Sequence, residues 1–229
     1  MLPIILALDT KDLDLASKWI KSSADQIDHF KVGLEFYLLH GFEGIKKLQQ
    51  VAEFKLFLDL KLYDIPNTVK GAVESVSVLN PKFLTVHASG GPKMIQSASK
   101  ALPNGLITAV TVLTSFSEDD FSKLGNSQSI QQTTNNWASS AVDAGAKALV
   151  CSPFEVSQLR SLGLKSIFIT PGVRVEGDEL SDQVRVMTPK DAISAGADFV
   201  VIGRSITGQW DGSDLRMRKK IELISNSLG

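Results

Sequence analysis

Leu56-Phe57-Leu58-Asp59-Leu60-Lys61-Leu62-Tyr63-Asp64-Ile65-Pro66-Asn67-Thr68 runs on to Val69, Ala72, Val73 and Val76, and this passage decides the reading of the chain. Its first half is apolar except for two charges. It lacks the strict alternation of a half-exposed strand, so it suits a strand buried on both faces, as in a parallel sheet. Its second half changes period. Val69, Ala72, Val73 and Val76 share one helical face, and Pro66 favours a first helical turn. The unit is therefore strand, short connection, helix.

Working outward, similar apolar runs occupy residues 4–9, 29–32, 83–87, 106–114, 148–152, 167–171 and 199–203, which with 56–61 makes eight. Helical spacing separates them, as in Leu13, Ala16, Trp19 and Ile20. Gly145 and Gly196, in Asp143-Ala144-Gly145-Ala146 and Ser194-Ala195-Gly196-Ala197, read as helix stops that lead into strands. Repetition at spacings of roughly 20 to 40 residues predicts an α/β fold, a (β/α)8 TIM barrel. Alternation alone does not prove closure, and an open doubly wound sheet is the competing arrangement. The longest loops are expected over 115–134 and 172–189. No linker or low-complexity tract interrupts residues 1–229, which read as a single domain.

The bulk numbers agree. The 229 residues are close to the roughly 250 typical of such a barrel. Hydrophobic residues at 43% and charged residues at 21% suit a globular chain with a sizeable core. Lys+Arg 24 against Asp+Glu 25 gives a net charge of -1, which excludes a nucleic-acid partner held by bulk charge. The single Cys151 allows no intrachain disulfide and no metal-ligand spacing, and reads as a small buried hydrophobe. The N-terminal apolar run lacks a preceding basic region and is too short for a signal segment or a membrane span. It reads as a first strand in a cytoplasmic protein, with no membrane partner.

The polar residues fall at one end of each unit. Asp9, Lys31, Asp59 and Lys61, His87, Thr114 and Ser115, Arg174 and Arg204 all stand at or beside the C-terminal side of a run. In a barrel those ends converge on one mouth, where such folds place their chemistry. Asp59 and Lys61 are two apart on a strand, so their side chains share a face while Leu60 points away. The pair could merely fix packing, but a buried ion pair is a poor source of net stability. A lysine held beside carboxylates stays protonated, and a positioned ammonium can protonate a carbanion. Gly203-Arg204 after the eighth run sits where barrels often bind phosphate through backbone N–H groups, with arginine adding a forked cation. Pairing of Arg204 with a surface carboxylate is the plainer alternative.

At these residues the sequence resembles the orotidine 5'-phosphate decarboxylase family of the bacterial type. The resemblance rests on Leu8-Asp9, Phe30-Lys31-Val32-Gly33, Asp59-x-Lys61-x-x-Asp64 with Ile65-Pro66-Asn67-Thr68, and Thr85-Val86-His87-Ala88. It continues through Val112-Leu113-Thr114-Ser115, Thr170-Pro171-Gly172-Val173-Arg174, Asp182-Gln183, Arg185-Val186-Met187-Thr188-Pro189 and Gly203-Arg204-Ser205-Ile206-Thr207. Residues 175–181 depart in detail from the family pattern.

The resemblance implies decarboxylation of a pyrimidine nucleotide without metal or other cofactor, in a homodimer with shared active sites. Lys31, Asp59, Lys61 and Asp64 would form an alternating charged tetrad, with Asp64 supplied by the partner subunit and Lys61 the proton donor. Asp9 and Lys31 would hold ribose hydroxyls, while Ile65 and Thr68 would reach the substrate across the interface. Thr114 and Ser115 would contact ribose and ring edge. Pro171 would line the site, and Arg174, Gln183, Gly203 and Arg204 would bind phosphate. For His87 a structural hydrogen bond is expected. Three rivals stand beside this reading. A metal-dependent sugar-phosphate decarboxylase would need an acidic ligand where this chain has Lys31. An epimerase-like barrel would need strand-end His and Asp ligands, and a nucleotide-binding barrel would have no use for the tetrad.

Overall fold

The computed structural model describes residues 2–173 and 187–228. Within them, strands β1 (Ile4–Ala7), β2 (His29–Gly33), β3 (Lys55–Leu62), β4 (Phe83–His87), β5 (Leu106–Val110), β6 (Ala148–Val150), β7 (Ile167–Thr170) and β8 (Phe199–Ile202) pair in parallel, each with the next. The strand β8 pairs back onto β1 through Ile4 with Val200 and Leu6 with Ile202. That last ladder closes the sheet and excludes the open doubly wound alternative. Around it lie α1 (Leu13–Ser23), α2 (Leu34–Gln49), α3 (Pro66–Ser77), α4 (Gly91–Ala101), α5 (Glu118–Lys123), α6 (Ile130–Asp143), α7 (Val156–Ser161), α8 (Pro189–Ser194), α9 (Arg204–Thr207) and α10 (Leu215–Leu228).

The period of two along each strand divides the apolar residues between two cores. Ile4, Leu6, Phe30, Leu56, Leu58, Leu84 and Val86 point outward and pack with helical residues such as Ala16, Ile20, Val69 and Val73. Ile5, Phe57, Phe83, Ala148 and Ile169 point inward and fill the lumen. The His29 ring joins this plug, with centroids 5.8 Å from Phe83 and 4.7 Å from Phe199. Emptying one such aromatic position to alanine costs about 3–5 kcal/mol. Among the described residues the lumen is thus packed toward the N-terminal end of the strands.

Local signals in the sequence set the element ends. Asp12 accepts from the Leu15 N–H at the start of α1, and Thr188 accepts from Asp191 at the start of α8. Gly145 and Gly196 both adopt φ 106, a backbone that a side chain resists, and each turns the chain from a helix into the next strand. Two expectations need correction. Strand β5 stops at Val110 rather than 114, because the chain turns and the Phe116 N–H closes on the Leu113 carbonyl at 3.1 Å. Residues 115–134 are not one loop. Ser117 caps α5, Phe121 anchors it beside Phe116 and Trp137, and α6 begins at Ile130. A six-residue helix with one apolar anchor leaves too short a period to be read from a polar sequence.

Candidate active site

The inward parity that fills the lumen continues past its plug and turns polar at the C-terminal mouth. A cavity of about 360 Å³ opens there. Its floor is Ala7, Phe57, Val110, Val150 and Val201, and its charged wall is Asp9, Lys31, Asp59 and Lys61. Thr114, Pro171, Gly172 and Val173 form the opposite rim, while Gly203 and Arg204 close the ring after β8.

The wall is an alternating chain of charge. Lys31 Nζ donates to Asp9 Oδ1 at 2.9 Å and lies 3.6 Å from Asp59 Oδ2. Lys61 Nζ donates to both Asp59 oxygens at 2.8 Å. The Thr85 hydroxyl donates to Asp59 Oδ1 at 2.9 Å. Side chains of Lys31 and Asp59 are each 12% exposed, so their mutual neutralisation is only weakly screened by water. Burial presses the Lys31 ammonium toward its neutral form, but Asp9 and Asp59 outweigh it and hold its pKa above the usual lysine value. For Asp59 burial pushes upward, and Lys31 with Lys61 overcomes it, leaving the carboxyl below the usual carboxylate value.

Lys61 reaches this position by a distortion that simple alternation does not foresee. The β3–β4 register runs Phe57 with Phe83 and Leu58 with Leu84, then resumes only at Leu62 with Val86. Within that bulge Lys61 has φ 48, the left-handed region where few non-glycine residues sit. Asp59 and Lys61 therefore meet in one cavity, as expected, but through a bulge rather than a regular strand.

A side chain at 203 would fit at ordinary van der Waals distance, so crowding alone does not demand this glycine. A Cβ there would stand 3.4 Å from the Ala7 Cβ and 3.6 Å from Asp9 Oδ2. A bare backbone keeps that side of the cavity open next to Arg204, the exposed first residue of α9.

The sequence matches the family described as "Orotidine 5'-phosphate decarboxylase / HUMPS family" over residues 2–214. The chain belongs to this family. A relative from Thermobifida fusca, named orotidine 5'-phosphate decarboxylase, is 48% identical over 206 residues, which cover 90% of this chain and 88% of that one. One of the same name from Wolbachia pipientis is 42% identical over 210 residues, covering 90% and 92%. The crystal structure of orotidine 5'-phosphate decarboxylase from Lactobacillus acidophilus superposes with a TM-score of 0.85 at 34% identity, covering 99% of each chain. Proteins of that name are carboxy-lyases, and the family assignment makes this chain an enzyme of that class.

Not every anticipated residue meets in the cavity of the single chain. Asp9, Lys31, Asp59, Lys61, Thr114, Pro171, Gly203 and Arg204 line it. Ser115 is exposed beside Thr114 but is not part of the lining. Asp64, Ile65 and Thr68 lie exposed on the β3–α3 connection and the first turn of α3, where Asp64 Oδ1 accepts from the Ile65 N–H at 2.6 Å. Arg174 and Gln183 lie outside the described residues. His87 departs from expectation. Its ring packs edge-on to Tyr63 at 5.7 Å, and among the described residues no hydrogen bond to it is found. Burial, reinforced by Lys61, lowers its pKa. Sequence reasoning missed the apolar floor and Thr85, although inward parity, counted from Asp59 and His87, points to both.

Among the described residues no helix is long and apolar enough to cross a membrane.

Proposed function

We propose that the enzyme decarboxylates orotidine 5'-phosphate to uridine 5'-phosphate, a step of pyrimidine biosynthesis, in the cytoplasm. The observation that carries this reading is the Lys31–Asp59–Lys61 charge chain in the same cavity as Gly203 and Arg204. One end suits a developing carbanion and the other a phosphate.

The chemistry follows from charge. The C6–carboxylate bond breaks, CO2 leaves, and the electron pair stays on C6, which the ring delocalises poorly. Lys61 stabilises it by a preorganised positive charge and then transfers a proton from Nζ to C6. Water returns a proton to the amine. Asp59 would sit near the departing carboxylate. Two like charges 4 Å apart at an effective dielectric near 20 repel by about 4 kcal/mol, so relief of repulsion is the smaller contribution beside carbanion stabilisation. Asp9 and Lys31 hold ribose hydroxyls, and Thr114 and Ser115 the ribose and ring edge. Pro171 shapes the rim, while Arg174, Gln183, Gly203 and Arg204 take the phosphate. Remote phosphate binding then contributes to assembling the site around the reacting carbon.

The working unit in this reading is a homodimer. Asp64, Ile65 and Thr68 project to solvent, and Leu34, Leu38, Leu39, Tyr63 and Ile65 are large apolar side chains exposed on neighbouring βα segments. Such a patch suits a two-fold partner. A second hollow beside the charge chain, lined by Asp9, Lys31, Gly33, Leu34, Asp59 and Lys61, offers room for the partner's β3–α3 segment. Asp64 would then complete the tetrad from across the interface.

The test is the loss of orotidylate absorbance on adding protein, with chelator present throughout. Full turnover under chelation is expected, since Lys61 supplies the positive charge. Activity that vanishes with chelator and returns with Mg2+ overturns the assignment.

A further inference from the structure

The geometry points to Thr85 as the positioning residue that locks Lys61 onto Asp59. This rests on the proposed decarboxylation. Thr85 is fully buried and does not line the cavity, so it touches no substrate directly.

The argument starts from the bulge. Asp59, Leu60 and Lys61 stand opposite Thr85 alone, because the β3–β4 pairing stops at Leu58 with Leu84 and resumes at Leu62 with Val86. The Lys61 N–H therefore has no ladder acceptor. The Thr85 hydroxyl takes that place, accepting from the Lys61 N–H at 2.8 Å. Its single hydrogen goes to Asp59 Oδ1 at 2.9 Å. Asp59 in turn accepts from Lys61 Nζ through both oxygens at 2.8 Å. The result is a closed ring: hydroxyl, Lys61 backbone, Lys61 ammonium, Asp59 carboxylate, and hydroxyl again.

Each part of the ring depends on the hydroxyl. The left-handed φ of Lys61 needs outside support, since local backbone preference opposes it. The carboxylate has its lone pairs directed by one neutral and one charged donor, which fixes its rotation and with it the point where Nζ sits. A methyl group in place of the oxygen leaves a buried N–H without an acceptor and lets the bulge relax. The ammonium then leaves the position from which it can reach the reacting carbon. Misplacement of a reacting group costs rate more than affinity.

The experiment compares wild type, Thr85→Val and Thr85→Ser in steady-state decarboxylation of orotidylate. Thr85→Val removes the hydroxyl at nearly constant volume and should lower kcat roughly 10- to 100-fold, the range for losing a hydrogen bond to a charged group, with KM within about three-fold. Thr85→Ser keeps the hydroxyl and should recover at least about half of wild-type kcat. The acid limb of the Thr85→Val profile should move to higher pH, because Asp59 loses a donor that favours its charged form. If Thr85→Val does not fold, Thr85→Ala is read by the same criteria. A folded hydroxyl-free variant with wild-type kcat overturns the inference. So does an equal fall in the Ser variant, which would make the methyl group rather than the hydroxyl responsible. Wild-type protein inert toward orotidylate would instead sink the decarboxylase reading itself.

Discussion

Replacing Asp59 by Asn removes one negative charge and almost no volume from a site where two ammonium groups converge. In the native wall Lys61 Nζ lies 2.8 Å and Lys31 Nζ 3.6 Å from the Asp59 carboxylate. At an effective dielectric near 20 those separations correspond to gross attractions of about 6 and about 5 kcal/mol. Most of that is offset by the desolvation of all three groups. What remains measurable is the cost of leaving buried charge uncompensated, about 3–5 kcal/mol for a buried pair. Lys61 is 33% exposed and can turn partly to water, so the lower figure is expected. A loss of about 3 kcal/mol shifts the Tm of a chain this size down by roughly 6–12 °C.

The assay is a thermal melt of both proteins at neutral pH, without substrate and at low and high salt. The deficit should persist at high salt, because the pair is shielded from mobile ions. Asp59 also fixes a pH signature. Its folded pKa lies below the usual carboxylate value of 3.8, so its stabilisation is present above that value and is lost as pH falls through the lower, folded pKa. The gap between wild type and Asp59→Asn should therefore narrow only below about pH 4. An Asn variant that melts within about 2 °C of wild type at neutral pH would refute the reasoning, by showing that the two lysines need no carboxylate between them.

Arg204→Ala should lower kcat/KM for orotidine 5'-phosphate roughly 10- to 100-fold while barely affecting the phosphate-free nucleoside, and equal losses on both would remove Arg204 from the phosphate. Lys61→Ala and Asp64→Ala should each be nearly inactive. Mixed under random subunit exchange they should regain up to about one quarter of wild-type activity, measured after exchange is verified, and no recovery would place Asp64 in its own subunit's site. His29 is buried against Phe83 and Phe199, and burial outweighs the raising effect of Asp28, leaving its pKa below 6.5. The unfolded chain then binds a proton first, so stability should decline as pH falls below about 6.5. His29→Gln should flatten that decline in a pH series of melts, and an unchanged slope would exclude His29 as its source.

The barrel was legible because its determinants are local and repeated. Eight apolar runs, Pro66 at a helix start, and Gly145 and Gly196 at helix ends each act within a few residues, and together they admit few topologies. Closure was not local. It depends on Ile4 meeting Val200, a pairing that no window of sequence contains. The same distinction runs through the site. Asp59 and Lys61 could be placed on one face from period two alone, yet the bulge that brings Lys61 to φ 48 depends on Thr85 in the next strand. Strand β5 looked longer than it is because Thr111 to Leu113 keep the apolar character of a strand while the backbone turns. His87 stood at a strand end like the other polar residues, but its packing against Tyr63 is a tertiary outcome.

The two cores explain why the charged wall sits where it does. Inward residues below the mouth build a mainly apolar plug around Ile5, Phe57, Phe83, Ala148 and Ile169, joined by the His29 ring. The next inward layer must then lie on an apolar floor, and Phe57, Val110, Val150 and Val201 supply it. Charges resting on such a floor interact more strongly than the same charges in water, which raises both their value for stabilising a carbanion and the cost of leaving any of them unpaired. An alternating order satisfies both requirements at once. Asp9 neutralises Lys31, Asp59 lies between Lys31 and Lys61, and Thr85 ties the last link to the backbone. Lys61 stands at the open end of this chain and is the more exposed of the two lysines, 33% against 12%. It is therefore the lysine that faces the open cavity in the proposed reaction, while Lys31, enclosed by two carboxylates, is held in its charged form.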